Sequence, residues 1–204
     1  NENSFYGDLS AVLMNNMPTW ANLLKTPDKS IALMDDWELK LEKMATQVIQ
    51  ENVTSISGVP TWTIVLMEKL MAMKGTNNIS DVWPNLQLYI HGGVSFTPYR
   101  DLFKRMISNS NMKYLETYNA SEGFFGIQSD LNDKAMQLMP DYGIFYEFIK
   151  ASDLTQEHPE TYLLGEVEAG VNYAVVISSN SGLWRYQLGD TITFANVNPY
   201  KFHI

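Results

Sequence analysis

Two segments in the middle of the sequence could bind a flat, charged ligand. His91-Gly92-Gly93-Val94 follows one predicted strand, and Tyr118–Gly123 follows the next. In a parallel α/β unit, ligands bind beyond the carboxyl ends of the strands, so we expect the two loops to lie side by side. The glycine pair has no side chains and lets the backbone approach a ligand closely. An ordinary turn is the alternative interpretation of either loop taken alone.

The second loop has the chemistry of a nucleotide site. Tyr118 offers an aromatic face and Ser121 offers a hydroxyl. Glu122 adds a carboxylate that could hold a hard cation such as Mg²⁺. The alternative interpretation of Glu122 is an acid in a solvated loop.

A third segment, Leu183–Asp190, predicts a strand of bulky side chains that ends at Gly189-Asp190. A carboxylate fixed at a strand end can accept two hydrogen bonds from a vicinal diol such as a ribose. Because Gly-Asp is also common in hairpin turns, a turn is the alternative interpretation here.

Tyr118–Gly123 and Tyr186–Asp190 together resemble the second and third nucleotide motifs of the GH3 family. These auxin-responsive acyl acid–amido synthetases belong to the adenylate-forming superfamily, with acyl-CoA ligases and luciferase. Further stretches resemble the bacterial branch of the family, and the likeness runs over nearly the whole chain. They are Phe5–Ser10, Ser57–Trp62, His91–Phe96 and Asp141–Phe148.

The resemblance implies a two-step ligase reaction that uses ATP and Mg²⁺. A carboxylic acid and ATP give an acyl-adenylate and pyrophosphate. An amine, usually that of an amino acid, then attacks the activated carbonyl and forms an amide. The implied partners are therefore a small carboxylic acid and an amine or amino acid, and no protein nucleophile is required.

The resemblance also implies roles for individual residues in nucleotide binding. Tyr118 would stack on or flank adenine, and Asn119 and Ala120 belong to the same nucleotide-binding motif. Gly92 and Gly93 would line the adenine slot.

Three further residues take roles around the phosphates and the ribose. Ser121 would donate a hydrogen bond to the α-phosphate or to the acyl carboxylate. Glu122 would hold Mg²⁺, and Asp190 would bind the ribose hydroxyls. Ser121 and Glu122 are thus the implied catalytic residues.

The implied acyl pocket is built from apolar residues on either side of the second motif. The candidates are Val59 and Trp62 before it, and Phe124 and Phe125 after it. Apolar residues at such spacing also fill cores, so packing is the alternative interpretation.

The sequence departs from the family pattern in three places. Gln187 stands where the family often has Arg, although Arg185 lies two residues earlier. The Ser/Thr/Gly-rich phosphate loop and the small C-terminal domain are both missing from these 204 residues. We therefore expect one domain, residues 1–204, that is an inactive fragment of the large domain. An acyl-CoA ligase and a non-catalytic binding module remain as alternative functions.

The elements that must position these residues change in character along the chain. The first third predicts helices, with apolar positions three to four residues apart in 35–49 and 62–74. Leu86–Tyr118 predicts a strand–helix–strand unit, with the helix over Thr97–Ser108. The remainder predicts strands: 124–128, 143–149, 165–168, 173–177, 183–186, 191–194 and 200–203. This order predicts an α/β fold with a mixed β-sheet flanked by helices, as in the adenylate-forming large domain that the resemblance implies.

Composition excludes several other classes. The chain has 14 Lys and Arg against 23 Asp and Glu, and the net charge of −9 argues against nucleic-acid and anionic-membrane partners. It has no cysteine, which excludes disulfides and Cys-ligated metal sites and favours a reducing compartment. No apolar run approaches the roughly 20 residues of a membrane span, and no signal peptide is visible. We expect a cytoplasmic protein.

Overall fold

The computed structural model describes residues 9–204, with side chains from residue 12 onward. Most of the Phe5–Ser10 stretch therefore lies outside the described residues. The chain divides into two compact units. The single domain over residues 1–204 stays a prediction. The first unit takes the described chain up to Tyr89 together with Phe96–Met112. The second takes Ile90–Ser95 and Lys113–Ile204.

Helices dominate the first unit. They are α1 (Leu9–Asn15), α2 (Thr19–Asn22), α3 (Lys29–Ala32), α4 (Trp37–Val48), α5 (Pro60–Lys74) and α6 (Arg100–Met106). The first two strands are β1 (Ser55–Ser57) and β2 (Leu88–His91), and 3₁₀ turns occupy Ile79–Asp81 and Thr97–Tyr99. None of the described helices combines the length and apolar character needed to cross a membrane.

Local chemistry sets the ends of the two longest helices. The Asp36 carboxylate accepts a hydrogen bond from the Leu39 N–H at 3.0 Å and caps α4. Pro60 occupies the first turn of α5, where its missing N–H costs nothing. Gly75 ends α5 with a φ of 73°, a left-handed conformation that glycine adopts readily. The sequence predicted both helices, but α5 begins two residues earlier than expected.

Tyr89 anchors the interior of the first unit. Its ring stacks on Phe103 at a centroid distance of 4.7 Å and meets the edge of Phe96 at 5.7 Å. Its hydroxyl donates to the Gly58 carbonyl at 2.8 Å. Burial raises the pKa of Tyr89 to about 12. The turn that leads from β1 into α5 is therefore fixed to the core by a neutral phenol.

The second unit is built on eight strands. They are β3 (Lys113–Ala120), β4 (Gly123–Gln128), β5 (Met136–Leu138), β6 (Ile144–Lys150), β7 (Tyr162–Leu163), β8 (Asn172–Ser179), β9 (Tyr186–Val197) and β10 (Tyr200–His203). Their order across the sheet is β3-β4-β5-β10-β9-β8-β6-β7, and each neighbouring pair is antiparallel. Over the whole chain the predicted class, α/β with a mixed sheet and flanking helices, is confirmed.

Aromatic side chains from distant strands meet inside the second unit. Phe125 on β4 lies 6.4 Å from Tyr146 on β6, although four strands separate β4 from β6 in the sheet order. Phe148 on β6 packs edge-on against Phe194 on β9 at 5.3 Å. The sheet therefore curls around an apolar interior, and this curvature brings residues from separate motifs together.

Several predicted strands differ from the structure. Residues 165–168 are not a strand, because the 3₁₀ turn Leu164–Glu166 occupies this position. The predicted strand end at Gly189-Asp190 and the alternative turn there are both wrong, since β9 runs unbroken through these residues. The predicted helix over Thr97–Ser108 is a 3₁₀ turn followed by the shorter α6. The three-residue strands β1 and β5 escaped prediction because they are too short to establish an alternating pattern.

Candidate functional site

Gly92 lies directly against strand β3. The Thr117 hydroxyl donates to the His91 carbonyl at 3.1 Å. A Cβ atom on Gly92 would lie 2.5 Å from the Thr117 carbonyl oxygen and 3.2 Å from the Asn119 Oδ1. No side chain fits in this space without moving the backbone. The structure thus brings the two predicted loops into contact, and glycine at position 92 permits that contact.

The second motif, predicted as a loop over Tyr118–Gly123, forms the tip of a hairpin. Ala120 at the end of β3 pairs with Gly123 at the start of β4. Ser121 and Glu122 are the two residues of the turn between them. Ser121 is exposed and Glu122 is half-buried. The turn presents a hydroxyl and a carboxylate on consecutive residues between β3 and β4.

Asp190 lies on a β-bulge in the middle of β9. Ala174 pairs with Thr191 and Val176 pairs with Gln187, so the segment Leu188–Asp190 faces a single residue of β8. Extra residues of this kind locally redirect side chains. Leu188 is buried in the bulge, whereas Asp190 is exposed. The bulge replaces the predicted strand end as the feature that presents this carboxylate.

A buried tyrosine joins the second motif to the third. The Tyr118 hydroxyl donates to the Asp190 Oδ2 at 2.8 Å, across 72 residues of sequence. The Tyr118 ring packs against Phe125 at 5.0 Å and is only 7% exposed. Burial, reinforced by the charge of Asp190, raises the pKa of Tyr118 well above its usual range, so the phenol remains a donor. The predicted contact between Tyr118 and adenine stays a prediction.

Tyr186 adds a second connection between the motifs. Its hydroxyl lies 3.5 Å from the Glu122 Oε1, the length of a weak hydrogen bond. Tyr186 belongs to the third motif, but the resemblance implied no role for it. Nothing in local spacing points to this contact, because Tyr186 and Glu122 lie 64 residues apart.

Arg185 does not replace the arginine missing at position 187. Its Nε donates to the Glu147 Oε2 at 3.0 Å, and its backbone N–H donates to the Ser178 hydroxyl at 2.9 Å. Its φ of 47° is unusual for a residue with a side chain. The guanidinium is therefore engaged with β6, while Gln187 is exposed on β9.

The four candidates for the acyl pocket divide between the two units. Val59 and Trp62 belong to the first unit, where Val59 precedes α5 and the Trp62 ring lies 4.4 Å from that of Trp37. In the second unit, Phe125 is 1% exposed and forms part of the core. Phe124 is half-buried beside Tyr142. The assignment of these four residues to an acyl pocket stays a prediction.

The donor chemistry of the site suits Mg²⁺ bound together with a substrate. Across residues 9–204, no cluster of three or more His, Cys, Asp or Glu side chains could hold a metal ion by itself. Magnesium is commonly bound through one or two carboxylates plus waters and substrate phosphates. The half-buried carboxylate of Glu122 is compatible with that mode.

Comparison with known families and relatives agrees with the motif pattern. Residues 1–112 match the GH3 family N-terminal domain, and residues 137–204 match the GH3 family central domain. A jasmonoyl–L-amino acid synthetase, GH3.5 of Oryza sativa subsp. japonica, is 32% identical over 142 residues, covering 61% of this chain and 23% of the relative. An indole-3-acetic acid-amido synthetase, GH3.3 of Arabidopsis thaliana, is 25% identical over 211 residues, covering 95% and 34%. The chain thus spans a quarter to a third of the length of these relatives.

Solved structures share the fold at low sequence identity. The structure of the GH3.15 acyl acid amido synthetase matches with a TM-score of 0.71 and 14% identity, over 90% of this chain and 42% of that one. A 2-hydroxyisobutyryl-CoA ligase in complex with 2-HIB-AMP and CoA matches with a TM-score of 0.57 and 13% identity, over 79% and 35%. The chain therefore shares the fold of these two enzymes, in agreement with the predicted fold class.

Proposed function

Since this chain belongs to the GH3 family, we propose that the protein carrying it is a ligase that activates a carboxylic acid with ATP and joins it to an amine. One observation carries the proposal: the Tyr118–Asp190 hydrogen bond unites the second and third motifs in one site. The relatives named as jasmonoyl–L-amino acid and indole-3-acetic acid-amido synthetases support an amino acid as the amine. The proposal includes a cytoplasmic location, a bacterial source, and small-molecule partners without nucleic acid or membrane.

The nucleotide occupies the second unit in this proposal. Asp190 accepts hydrogen bonds from the ribose hydroxyls, for which its exposed carboxylate has free acceptor positions. Gly92 and Gly93 line the adenine slot, together with the motif residues Tyr118, Asn119 and Ala120. The close contact between Gly92 and β3 supports this assignment, because it places the Gly92-Gly93 segment directly beside the Tyr118–Ala120 segment.

The turn between β3 and β4 serves the reacting groups. Ser121 donates a hydrogen bond to the α-phosphate or to the acyl carboxylate, and Glu122 holds Mg²⁺. When bound, the ion neutralises charge on the phosphates. The exposure of Ser121 and the half-burial of Glu122 support these roles, since both side chains are accessible from solvent.

Neither step of the proposed reaction needs a nucleophile from the protein. A carboxylate oxygen bonds to the α-phosphorus while the bond to the pyrophosphate oxygen breaks. The amine nitrogen then bonds to the acyl carbon, AMP leaves, and the amine loses its proton to solvent. The protein contributes chiefly by holding the reacting groups in line.

Pyrophosphate exchange in the full-length protein tests the proposal. Labelled pyrophosphate should enter ATP only when an acid from the accepted class is present. We expect Glu122→Ala to lower exchange by about 100-fold, because the phosphate charge is then less well neutralised. Glu168→Ala, which removes an exposed carboxylate elsewhere in the second unit, is the matched control. Absence of exchange with every acid in a broad panel would overturn the proposal.

Formation of a CoA thioester is the competing outcome. Its basis is the fold shared with the 2-hydroxyisobutyryl-CoA ligase. The family matches over both parts of the chain favour amide formation instead. Mass spectrometry of products formed with CoA or with a mixture of amino acids separates the two reactions.

A further inference from the structure

We propose that Tyr118 is a positioning residue that fixes the Asp190 carboxylate in the orientation needed to receive the ribose hydroxyls. This inference rests on the proposed function and gives the Tyr118 hydroxyl a role separate from any contact between its ring and adenine. Tyr118 would thereby determine how strongly the site distinguishes a ribonucleotide from a nucleotide that lacks the ribose hydroxyls.

The tyrosine is a rigid support for this contact. Its ring lies 5.0 Å from Phe125 and 6.1 Å from Phe202, on two other strands of the curled sheet. Because the ring is enclosed by its neighbours, its hydroxyl has a fixed position. The raised pKa of Tyr118 keeps the proton on the phenol, where it serves as the hydrogen-bond donor.

The aspartate, in contrast, lies where its orientation needs support. It belongs to a bulge, where the regular ladder between β8 and β9 is interrupted. It is also exposed, and apart from the chain neighbours of Gly189, no heavy atom of the described residues lies within 4 Å of the position that a Cβ on Gly189 would take. The hydrogen bond from Tyr118, at 2.8 Å, provides that support from the side of the core.

The contact leaves most of the carboxylate available to a ligand. An ionised carboxylate has about four acceptor positions, and the phenol uses one of them. A diol needs two. Fixing the carboxylate before the nucleotide binds reduces the entropic cost of binding. The resulting gain in affinity appears only for ligands that carry the ribose hydroxyls.

Calorimetry with AMP and 2′,3′-dideoxy-AMP on the full-length protein tests this role. The wild type should bind AMP at least about tenfold more tightly, since hydrogen bonds to a charged group are strong. Tyr118→Phe should reduce that preference several-fold, mainly by lowering the affinity for AMP. Asp190→Ala should abolish the preference, and adding Tyr118→Phe to it should change nothing more, because both act through one contact.

Tyr146→Phe is the matched control. Tyr146 is another buried tyrosine of the same interior, and its hydroxyl donates to the Met139 carbonyl at 3.2 Å instead of to Asp190. The Tyr146→Phe variant should retain the wild-type preference for AMP over 2′,3′-dideoxy-AMP. Unfolding curves verify that each variant is folded, and Tyr118→Met replaces Tyr118→Phe if the latter is not.

Each outcome decides the inference. A several-fold loss of preference in the Tyr118 variant, with the control unchanged, supports it. Equal weakening of both nucleotides overturns it, because a purely structural role would act on both alike. Equal binding of AMP and 2′,3′-dideoxy-AMP by the wild type also overturns the inference. Pyrophosphate exchange by that protein would still support the proposed function. A wild type that neither binds AMP nor exchanges pyrophosphate overturns both.

Discussion

Substituting Gly92 with alanine tests the contact that joins the Gly92 loop to β3. The added methyl group would lie 2.5 Å from the Thr117 carbonyl oxygen and 2.9 Å from the Thr117 Oγ1. Ordinary contact begins at 3.4 Å, so the two backbones must separate by about 0.9 Å. That separation also stretches the hydrogen bond from Thr117 to the His91 carbonyl.

The expected loss of stability follows from these two effects. Forcing a methyl group into a packed site costs about 1–3 kcal/mol. Losing one hydrogen bond adds about 0.5–1.5 kcal/mol. We therefore expect Gly92→Ala to lower the free energy of unfolding by about 1.5–4.5 kcal/mol, equivalent to roughly 3–18 °C in Tm.

Urea denaturation followed by tryptophan fluorescence and circular dichroism measures this loss. Gly165→Ala is the matched control, because nothing lies within 4 Å of its Cβ position and its φ is not positive. It should change the free energy of unfolding by no more than about 0.5 kcal/mol. If Gly92→Ala proved as stable as Gly165→Ala, the close approach of the Gly92 loop to β3 would be refuted.

Three further predictions concern the cores and an ion pair. Phe148→Ala should lower the free energy of unfolding by about 3–5 kcal/mol, measured by urea denaturation, because the ring is fully buried. The hydrogen bond from the Lys201 ammonium lowers the pKa of Asp133 in the folded protein. The contact therefore stabilises the fold at pH values above the unfolded pKa of about 3.9, and this stabilisation is lost as the pH falls through the lower folded pKa. The stability difference between wild type and Asp133→Asn should therefore disappear in acid, which thermal melts at pH 7 and below pH 3 can measure. Burial raises the pKa of Tyr89 from 10.0 to about 12, so its contribution is complete below pH 10 and is lost between pH 10 and 12. Tyr89→Phe, which cannot donate to Gly58, should be less stable than wild type at pH 7 by about 1 kcal/mol and should lose less stability across that alkaline interval, as melts at each pH would reveal.

Local signals in the sequence were sufficient for the two longest helices, α4 and α5. The acidic cap at Asp36 and the glycine at position 75 define helix ends through contacts within a few residues. The apolar spacing in α4 and α5 is also a local property. The α/β class and the order of helices before strands could therefore be predicted from the sequence.

The geometry of the site depended on long-range pairing. Gly189-Asp190 has the composition of a turn, yet β9 continues through it because β8 pairs with both flanking segments. The mismatch between the two strands is absorbed by the bulge. The local sequence does not specify this register, because register is set by the pairing with neighbouring strands and by which face of the strand is buried.

The sequence by itself determined the fold class and the candidate site residues, since the two motifs and the family resemblance are properties of residue order. Only the tertiary structure decided how they meet. The sheet curls around its aromatic interior, and this brings the Tyr118 hydroxyl to Asp190 across 72 residues. It also packs the Tyr118 ring against Phe125 and Phe202, on two other strands. The physical reason is that the burial of an aromatic side chain on a strand is set by the packing of distant strands, which residue order within a motif does not specify.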